Sequence, residues 1–225
     1  MKEFSLSIFL LLVSSIVFAQ DCIMYFPQEE GTIFEITNYS PKDKVESVSL
    51  NEILNKDVDG SDVTIHAQVS QYSNNNQDTI VVDYTAGCMK GVFQINMFTG
   101  LQNSGGSFME LDGDFLDIPA NPSAGQKLED KLIILKIAPN AETGEALLNF
   151  KYNFVNRLVE SIEKITTPAG TFDAVKMSYD VTVRIPFPVT LHVVEWYSKD
   201  VGQVRSETYN SKGKSKGYSV LTKFN

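Results

Sequence analysis

Residues 167–185 read TPAGTFDAVKMSYDVTVRI, a turn signal followed by the strongest alternation in the chain. Apolar side chains stand at every second position from Val175 to Ile185, and polar side chains fill the positions between them. A period of two places the apolar side chains on one face of a β-strand. One-sided alternation of this kind is typical of an antiparallel sheet that has one face on a core and the other in water.

The turn at the head of this stretch has two interpretations, a loop that grips a ligand or a corner between strands. A phosphate-gripping loop needs further glycines and a following helix, whereas Gly170 leads directly into a strand. Pro168 fixes its own φ at about −65°, and Gly170 can adopt the positive φ that a tight turn requires. The sequence therefore predicts a hairpin corner.

The same period of two recurs in DVTIHAQVSQ (62–71), TIVVDYTAGC (79–88) and LLNFKYNF (147–154). Polar turn signals rich in Gly or Asn separate such segments, at 73–78, 140–145, 198–202 and 210–217. The one candidate helix is KVESVSLNEILN (44–55), which has a short apolar stripe diluted by β-branched residues. We expect a mostly β protein, a single antiparallel roll or open barrel with at most one or two short helices.

The first residues indicate export. Met1 and Lys2 precede the apolar run FSLSIFLLLVSSIVF, and Val17 and Ala19 are small residues spaced for signal-peptidase cleavage. We expect residues 1–19 to be a signal peptide and residues 20–225 to form one antiparallel β domain, located in the periplasm or outside the cell. No later segment is long and apolar enough for a transmembrane helix. Lipidation of Cys22 is the alternative, but Asp21 stands where lipoprotein signals have a small residue.

The chain is acidic, with a formal net charge of −9. Acidic proteins repel phosphate backbones and anionic lipid headgroups, so the net charge argues against nucleic-acid binding and against membrane attachment by charge.

Both cysteines, Cys22 and Cys88, lie in the exported part, where oxidising conditions let a disulfide persist. We expect them to be bridged. The alternative is a nucleophilic Cys88 served by His66 or His192, but the flanking TAGCMKG contains nothing that suggests an activated thiol.

Few residues suggest catalysis or metal binding. His66 and His192 have no neighbour at metal-ligand spacing. Carboxylates beside Gly113 could surround a cation, although a solvated turn is the commoner outcome. We therefore predict no catalytic residue, no metal and no cofactor. The carboxylates that an enzyme could use are Asp112, Asp114, Asp117 and Glu195.

Two long segments resemble a known family. NRLVESIEKITTPAGTFDAVKMSYDV and EWYSKDVGQVRSETYNSKGKSKGYSVLTKF are similar to the C-terminal signature of the TapB-like proteins, which are exported bacterial proteins of largely unassigned function. The N-terminal DCIMYFPQEEGTIFEITNYS is similar too. The resemblance implies a single-domain β-roll or open barrel, and it carries over no catalytic residues.

Two classes of function remain. The first is a non-enzymatic envelope protein that binds a protein partner, a lipid or a glycan in the concave face of the roll. Aromatic side chains could line that face, although they are more often plain core: Phe150, Tyr152, Phe154, Tyr179, Trp196 and Tyr197. The alternative is a carboxylate-dependent hydrolase of the envelope, which would show two carboxyls about 5–10 Å apart across a cleft.

Overall fold

The computed structural model describes residues 22–73, 79–96, 108–138, 148–185 and 187–225. The predicted signal peptide lies outside these ranges, as do the turn predicted at 140–145 and all but Ser73 of the turn at 73–78. Within the described ranges the chain forms thirteen β-strands and no helix. The strands are β1 (Ile33–Tyr39), β2 (Val45–Asp59), β3 (Asp62–Ser73), β4 (Thr79–Met89), β5 (Val92–Asn96), β6 (Phe108–Gly113), β7 (Leu116–Ile118), β8 (Lys131–Ala138), β9 (Leu148–Thr167), β10 (Gly170–Ile185), β11 (Phe187–Ser198), β12 (Gly202–Asn210) and β13 (Ser215–Phe224).

All thirteen strands join one antiparallel sheet in the order β6-β8-β9-β10-β11-β12-β13-β1-β2-β3-β4-β5-β7. Its two edges, β6 and β7, are separated in the chain by only Asp114 and Phe115. This short link keeps the edges close to each other at one point, although no ladder joins them. The sheet is therefore a curved open roll, which confirms the predicted mostly β, antiparallel class.

The predicted hairpin corner is present. Thr167 pairs with Gly170 across a turn made by Pro168 and Ala169. Gly170 has φ +146°, a backbone conformation that residues with a Cβ rarely adopt. The stretch 167–185 thus forms the turn and the strand that its residues predict.

The predicted helix at 44–55 is wrong, because residues 45–55 belong to strand β2 and Lys44 to the turn before it. Strands β1 and β3 pair with β2 along both of its sides, so the ladder hydrogen bonds override a weak helical stripe. Two inward positions of this part of β2, Ser49 and Asn51, are polar and only Ile53 is a fully buried apolar residue there, so a regular apolar alternation is not visible.

The inner face of the roll holds the core. Val175, Met177 and Tyr179 of β10 are buried on this face, as their alternation predicts. The main cluster has as its largest fully buried members Phe93, Ile53, Ile65, Leu221, Val159 and Val204. A second, smaller cluster on β8–β11 consists of Ile133, Phe154, Tyr179 and Val193.

The opposite face of β10 is less exposed than its polar residues predict. Lys176 forms an ion pair of 2.7 Å with Glu160 and lies 5.4 Å from the ring centroid of Trp196. Trp196 is itself buried, and its indole Nε1 donates a hydrogen bond of 2.9 Å to Glu163. Trp196 therefore packs beneath charged side chains on the outer face and does not line the concave face.

The hairpins turn at two opposite ends of the sheet. We call one end the disulfide end. It carries the turns at 60–61, 90–91, 168–169 and 199–201, and a disulfide joins Cys22 to Cys88 there. This bond holds Met24, Tyr25 and Phe26 over the core. The opposite end, here the rim, carries the strand connections at 40–44 and 211–214 and the paired ends of β10 and β11 at Ile185 and Phe187.

Candidate ligand cavity

A cavity of about 250 Å³ lies on the inner face of the roll. Eight strands and the N-terminal segment contribute to it, so no local sequence motif encodes the site. Its lining consists of Phe26, Phe34, Ile36, Asn38, Ser49, Asn51, Val69, Tyr84, Ile95, Tyr197, Gln203 and Ser219. None of these lining residues carries a formal charge.

One wall of the cavity is apolar. The ring of Phe26 meets the rings of Phe34 and Tyr84 edge to face, with centroids 5.9 and 5.8 Å apart. Ile36, Val69 and Ile95 continue this wall. Phe26 reaches it from the N-terminal segment, so the disulfide that anchors this segment also helps to shape the cavity.

The other wall offers uncharged hydrogen-bonding groups. The Tyr84 hydroxyl donates a hydrogen bond of 2.9 Å to the side-chain oxygen of Asn51, and burial raises the pKa of Tyr84 well above its ordinary value. This pair is therefore neutral and fixed at any physiological pH. The hydroxyls of Ser49 and Ser219 form no hydrogen bond within the described residues, so they can serve a ligand.

A buried carboxyl lies directly behind the cavity wall. Glu195 accepts a hydrogen bond of 2.7 Å from Gln203 and a longer one, 3.3 Å, from the Tyr197 hydroxyl. Burial raises the pKa of Glu195 to about 7, and hydrogen bonds from Tyr179, Tyr197 and Gln203 offset part of the rise. The charge of Arg157 offsets it further. Glu195 thus changes its protonation state near neutral pH while it holds two cavity-lining side chains.

Arg157 holds the roll together behind this carboxyl. Its guanidinium is buried and donates hydrogen bonds of 2.7 Å to the backbone carbonyls of Glu129 and Asp117. It also lies 2.8 Å from the Asp117 carboxylate. These bonds connect β9 to the edge strand β7 and to the segment before β8. They indicate a structural role for Arg157 and Asp117.

The structure does not bring the other candidate residues together. Asp112 pairs with Lys136 at 3.0 Å, whereas Asp114 accepts a backbone hydrogen bond from Leu132. With Asp117 bound to Arg157, the three aspartates have separate partners, and the described residues contain no group of three that could hold a metal. His66 and His192 pair locally with Asp57 and Asp180, each at 2.9 Å.

Of the six aromatic candidates only Tyr197 is among the residues that line the cavity. Phe154 and Tyr179 belong to the second core cluster, and Tyr152 packs against it. Sequence reasoning missed Asn51, Tyr84 and Gln203. The available signal was the run of polar residues at alternate positions of β2, which the predicted helix obscured.

The profile of the DUF3108-like family matches residues 29–221. The chain belongs to the DUF3108-like family. No curated protein matches it significantly. The family match does not extend to the TapB-like name, so that resemblance stays a prediction.

Two crystal structures have the same fold. A candidate lipoprotein from Parabacteroides distasonis is 25% identical with a TM-score of 0.76, and the match covers 92% of this chain and 100% of that chain. A candidate exported protein with a YmcC-like fold from Bacteroides fragilis is 23% identical with a TM-score of 0.73, covering 91% and 100%. Within the described residues, no helix is long and apolar enough to cross a membrane.

Proposed function

We propose that this member of the DUF3108-like family is an exported, non-enzymatic binding protein that holds a neutral acyl lipid in its inner cavity. The single observation that carries the proposal is the lining of that cavity. An apolar wall that includes Phe26, Ile36 and Val69 faces uncharged donors and acceptors such as Asn51 and Ser219. Ligand sites typically combine apolar walls with a few polar groups that fix orientation.

The absence of charge from the described lining selects the class of lipid. A phosphate or carboxylate head buried there would lack a cation to offset its desolvation, whereas the hydroxyls and ester of a monoacylglycerol need only hydrogen bonds. The acyl chain would lie against the apolar wall, and the uncharged head would meet the free hydroxyls of Ser49 and Ser219.

Export of the chain is supported by three observations. The sequence carries the features of a signal peptide over residues 1–19, so residues 20–225 would be the mature domain, in the periplasm or outside the cell. A disulfide links Cys22 and Cys88, as is usual for proteins of oxidising compartments. The two similar crystal structures are of a candidate lipoprotein and a candidate exported protein.

The hydrolase alternative has less support. Among the described residues no carboxyl lines the cavity, and Glu195 is linked to it only through its hydrogen bonds with Tyr197 and Gln203. A hydrolase of the predicted kind needs a second carboxyl across the cleft.

Equilibrium binding of a fluorescent monoacylglycerol, followed by anisotropy, tests the proposal. We expect the mature protein to bind the probe and Val69→Trp, which fills the cavity, to weaken binding about tenfold or more. Val58→Trp is the matched control, because Val58 is 63% exposed and does not line the cavity. Ile36→Phe serves if Val69→Trp does not fold. A wild-type protein that does not bind the probe, or equal binding by filled and control variants, would refute the proposal.

A further inference from the structure

A second groove, of about 460 Å³, lies on the outer face of β9, β10 and β11 near the rim. Lys151 and Arg184 line it together with Asn149, Asn153, Thr182 and Pro188. Tyr152 of β9 pairs with Val183 of the antiparallel strand β10. Lys151 and Arg184 are the next residues beyond this pair on their strands, so their side chains lie on the same face. The fold therefore places two cations side by side.

Neither cation is neutralised within the described residues. The side chains of Lys151 and Arg184 form no ion pair or hydrogen bond there, and those of Asn149 and Asn153 form none either. Like charges on adjacent strands destabilise a sheet. The groove thus has four side chains whose hydrogen-bond donors have no partner within the described residues. An anionic ligand would accept these hydrogen bonds and offset the repulsion between Lys151 and Arg184.

Among the described residues of the rim, lysines outnumber carboxylates, although the chain as a whole carries a formal charge of −9. The β12–β13 and β1–β2 hairpins of the rim carry five more lysines: Lys42, Lys44, Lys212, Lys214 and Lys216. The carboxylates of the same hairpins are Asp43 and Glu46, and Asp43 accepts a hydrogen bond of 2.9 Å from Tyr218. The disulfide end instead gathers carboxylates: Glu29, Glu30, Asp57, Asp59, Asp62, Asp173 and Asp200.

Exposed apolar side chains lie at the same corner of the rim. Phe187 is 77% exposed, Leu148 53% and Val189 47%. They belong to the rim ends of β9 and β11, which flank β10, and strand alternation turns them to the face opposite Lys151 and Arg184, since Val189 pairs with Val183. A bilayer that meets the rim edge-on contacts both faces. Binding of a soluble anion would require the cations but not the exposed apolar side chains. Cations combined with an exposed phenylalanine fit the interface of a bilayer, where phosphates lie next to acyl chains.

We propose that the rim docks on the surface of an anionic phospholipid bilayer. Lys151 and Arg184 contact lipid phosphates, while Phe187 and Val189 enter the headgroup region. The net charge of the chain argues against such attachment, but the distribution of charge along the roll concentrates the positive groups at one end. This inference goes beyond the proposed function, because docking does not require an occupied cavity.

Vesicle flotation of the mature protein tests the docking surface. At low ionic strength we expect flotation with phosphatidylethanolamine vesicles that contain one quarter phosphatidylglycerol, and little flotation with phosphatidylcholine vesicles. The double variant Lys151→Gln, Arg184→Gln should bind the anionic vesicles roughly 30-fold more weakly. Each Lys or Arg near such a surface raises the affinity about five- to sixfold, and the variant loses two of them. Phe187→Ser should also weaken binding, and this loss should persist when the phosphatidylglycerol content is raised.

The matched control is Lys90→Gln, Lys199→Gln, which makes the same change in charge at the disulfide end and should float like the wild type. The side chains changed in the flotation variants are all exposed, so the substitutions should affect stability little. The unfolding midpoint of each variant checks that it is folded. The docking proposal is refuted if the wild type does not float with anionic vesicles, or if the rim variants and the control variant lose the same amount of binding. It is also refuted if inorganic phosphate binds the groove while vesicles do not. Because Val69→Trp should leave flotation unchanged, failure of the cavity proposal is distinguishable from failure of docking.

Discussion

The side-chain amide of Gln203 donates a hydrogen bond of 2.7 Å to the Glu195 carboxyl, and the same side chain lines the ligand cavity. Tyr197 has the same double position, with its hydroxyl 3.3 Å from the other carboxyl oxygen. The protonation state of one buried carboxyl is thereby linked to the orientation of two cavity-lining groups. This relationship makes Glu195 the residue whose removal should show the clearest dependence on pH.

Glu195→Gln should change how stability depends on pH. Burial raises the pKa of Glu195 in the folded protein from 4.5 to about 7, so its favourable contribution is complete below the unfolded value and is lost as pH rises through 7. The wild type should therefore lose on the order of 3 kcal/mol between pH 5 and pH 8 from this group. The Glu195→Gln variant should not show this loss, because the glutamine side chain does not titrate. Urea unfolding of both proteins at the two pH values checks this, and parallel losses would contradict it.

Gly170→Val should destabilise the fold by about 2 kcal/mol, because a β-branched residue is strained at a positive φ. A Cβ at this position would meet the Phe172 ring at an ordinary 3.5 Å, so the cost is conformational and not steric. Thr171→Val, one residue later on an exposed position, is the control and should cost much less. Equal unfolding midpoints for Gly170→Val and the parent would mean that the corner is not as described.

The two faces of β10 should respond differently to truncation. Val181 packs against the second core cluster, so Val181→Ala should cost about 1 kcal/mol or more. Within the described residues the Thr182 side chain has one hydrogen-bond partner, the exposed Thr190 hydroxyl, and Thr182→Ala should cost less than about 0.5 kcal/mol. Lys176→Ala should fall between them at roughly 1 kcal/mol, because an ion pair and a cation–π contact are lost. Denaturant melts giving Thr182→Ala the largest loss would refute this order.

The exported protein should contain no thiol that reacts with an alkylating reagent until it is reduced, because Cys22 and Cys88 are bridged. The bridge links residues 66 apart in the chain, and a loop of that length should contribute about 4 kcal/mol through the unfolded state. Intact-mass measurement before and after reduction checks the bridge and the expected mature N-terminus at Gln20. Two alkylated cysteines without reduction, or an acylated Cys22, would contradict it.

Much of the roll could be predicted because its strands bury apolar residues at alternate positions, as Val175 and Met177 do in β10. The cavity could not, because the same alternation in β2 places polar side chains inward, and Asn51 finds its partner Tyr84 two strands away. Glu195 was recognised as a candidate carboxylate. Its role remained hidden because Tyr179 and Gln203 reach it from neighbouring strands that no spacing in the sequence relates.

Methyl NMR of the mature protein, titrated with the short-chain lipid monocapryloylglycerol, tests whether the inner cavity of about 250 Å³ holds a neutral acyl lipid. We expect saturable shifts and intermolecular contacts at the methyl groups of Ile36, Val69 and Ile95, which line the cavity, and none at Val58, which is exposed on β2. Shifts confined to exposed methyl groups such as Val58 and Val189, or no saturable shift at any of the three cavity residues, would contradict it.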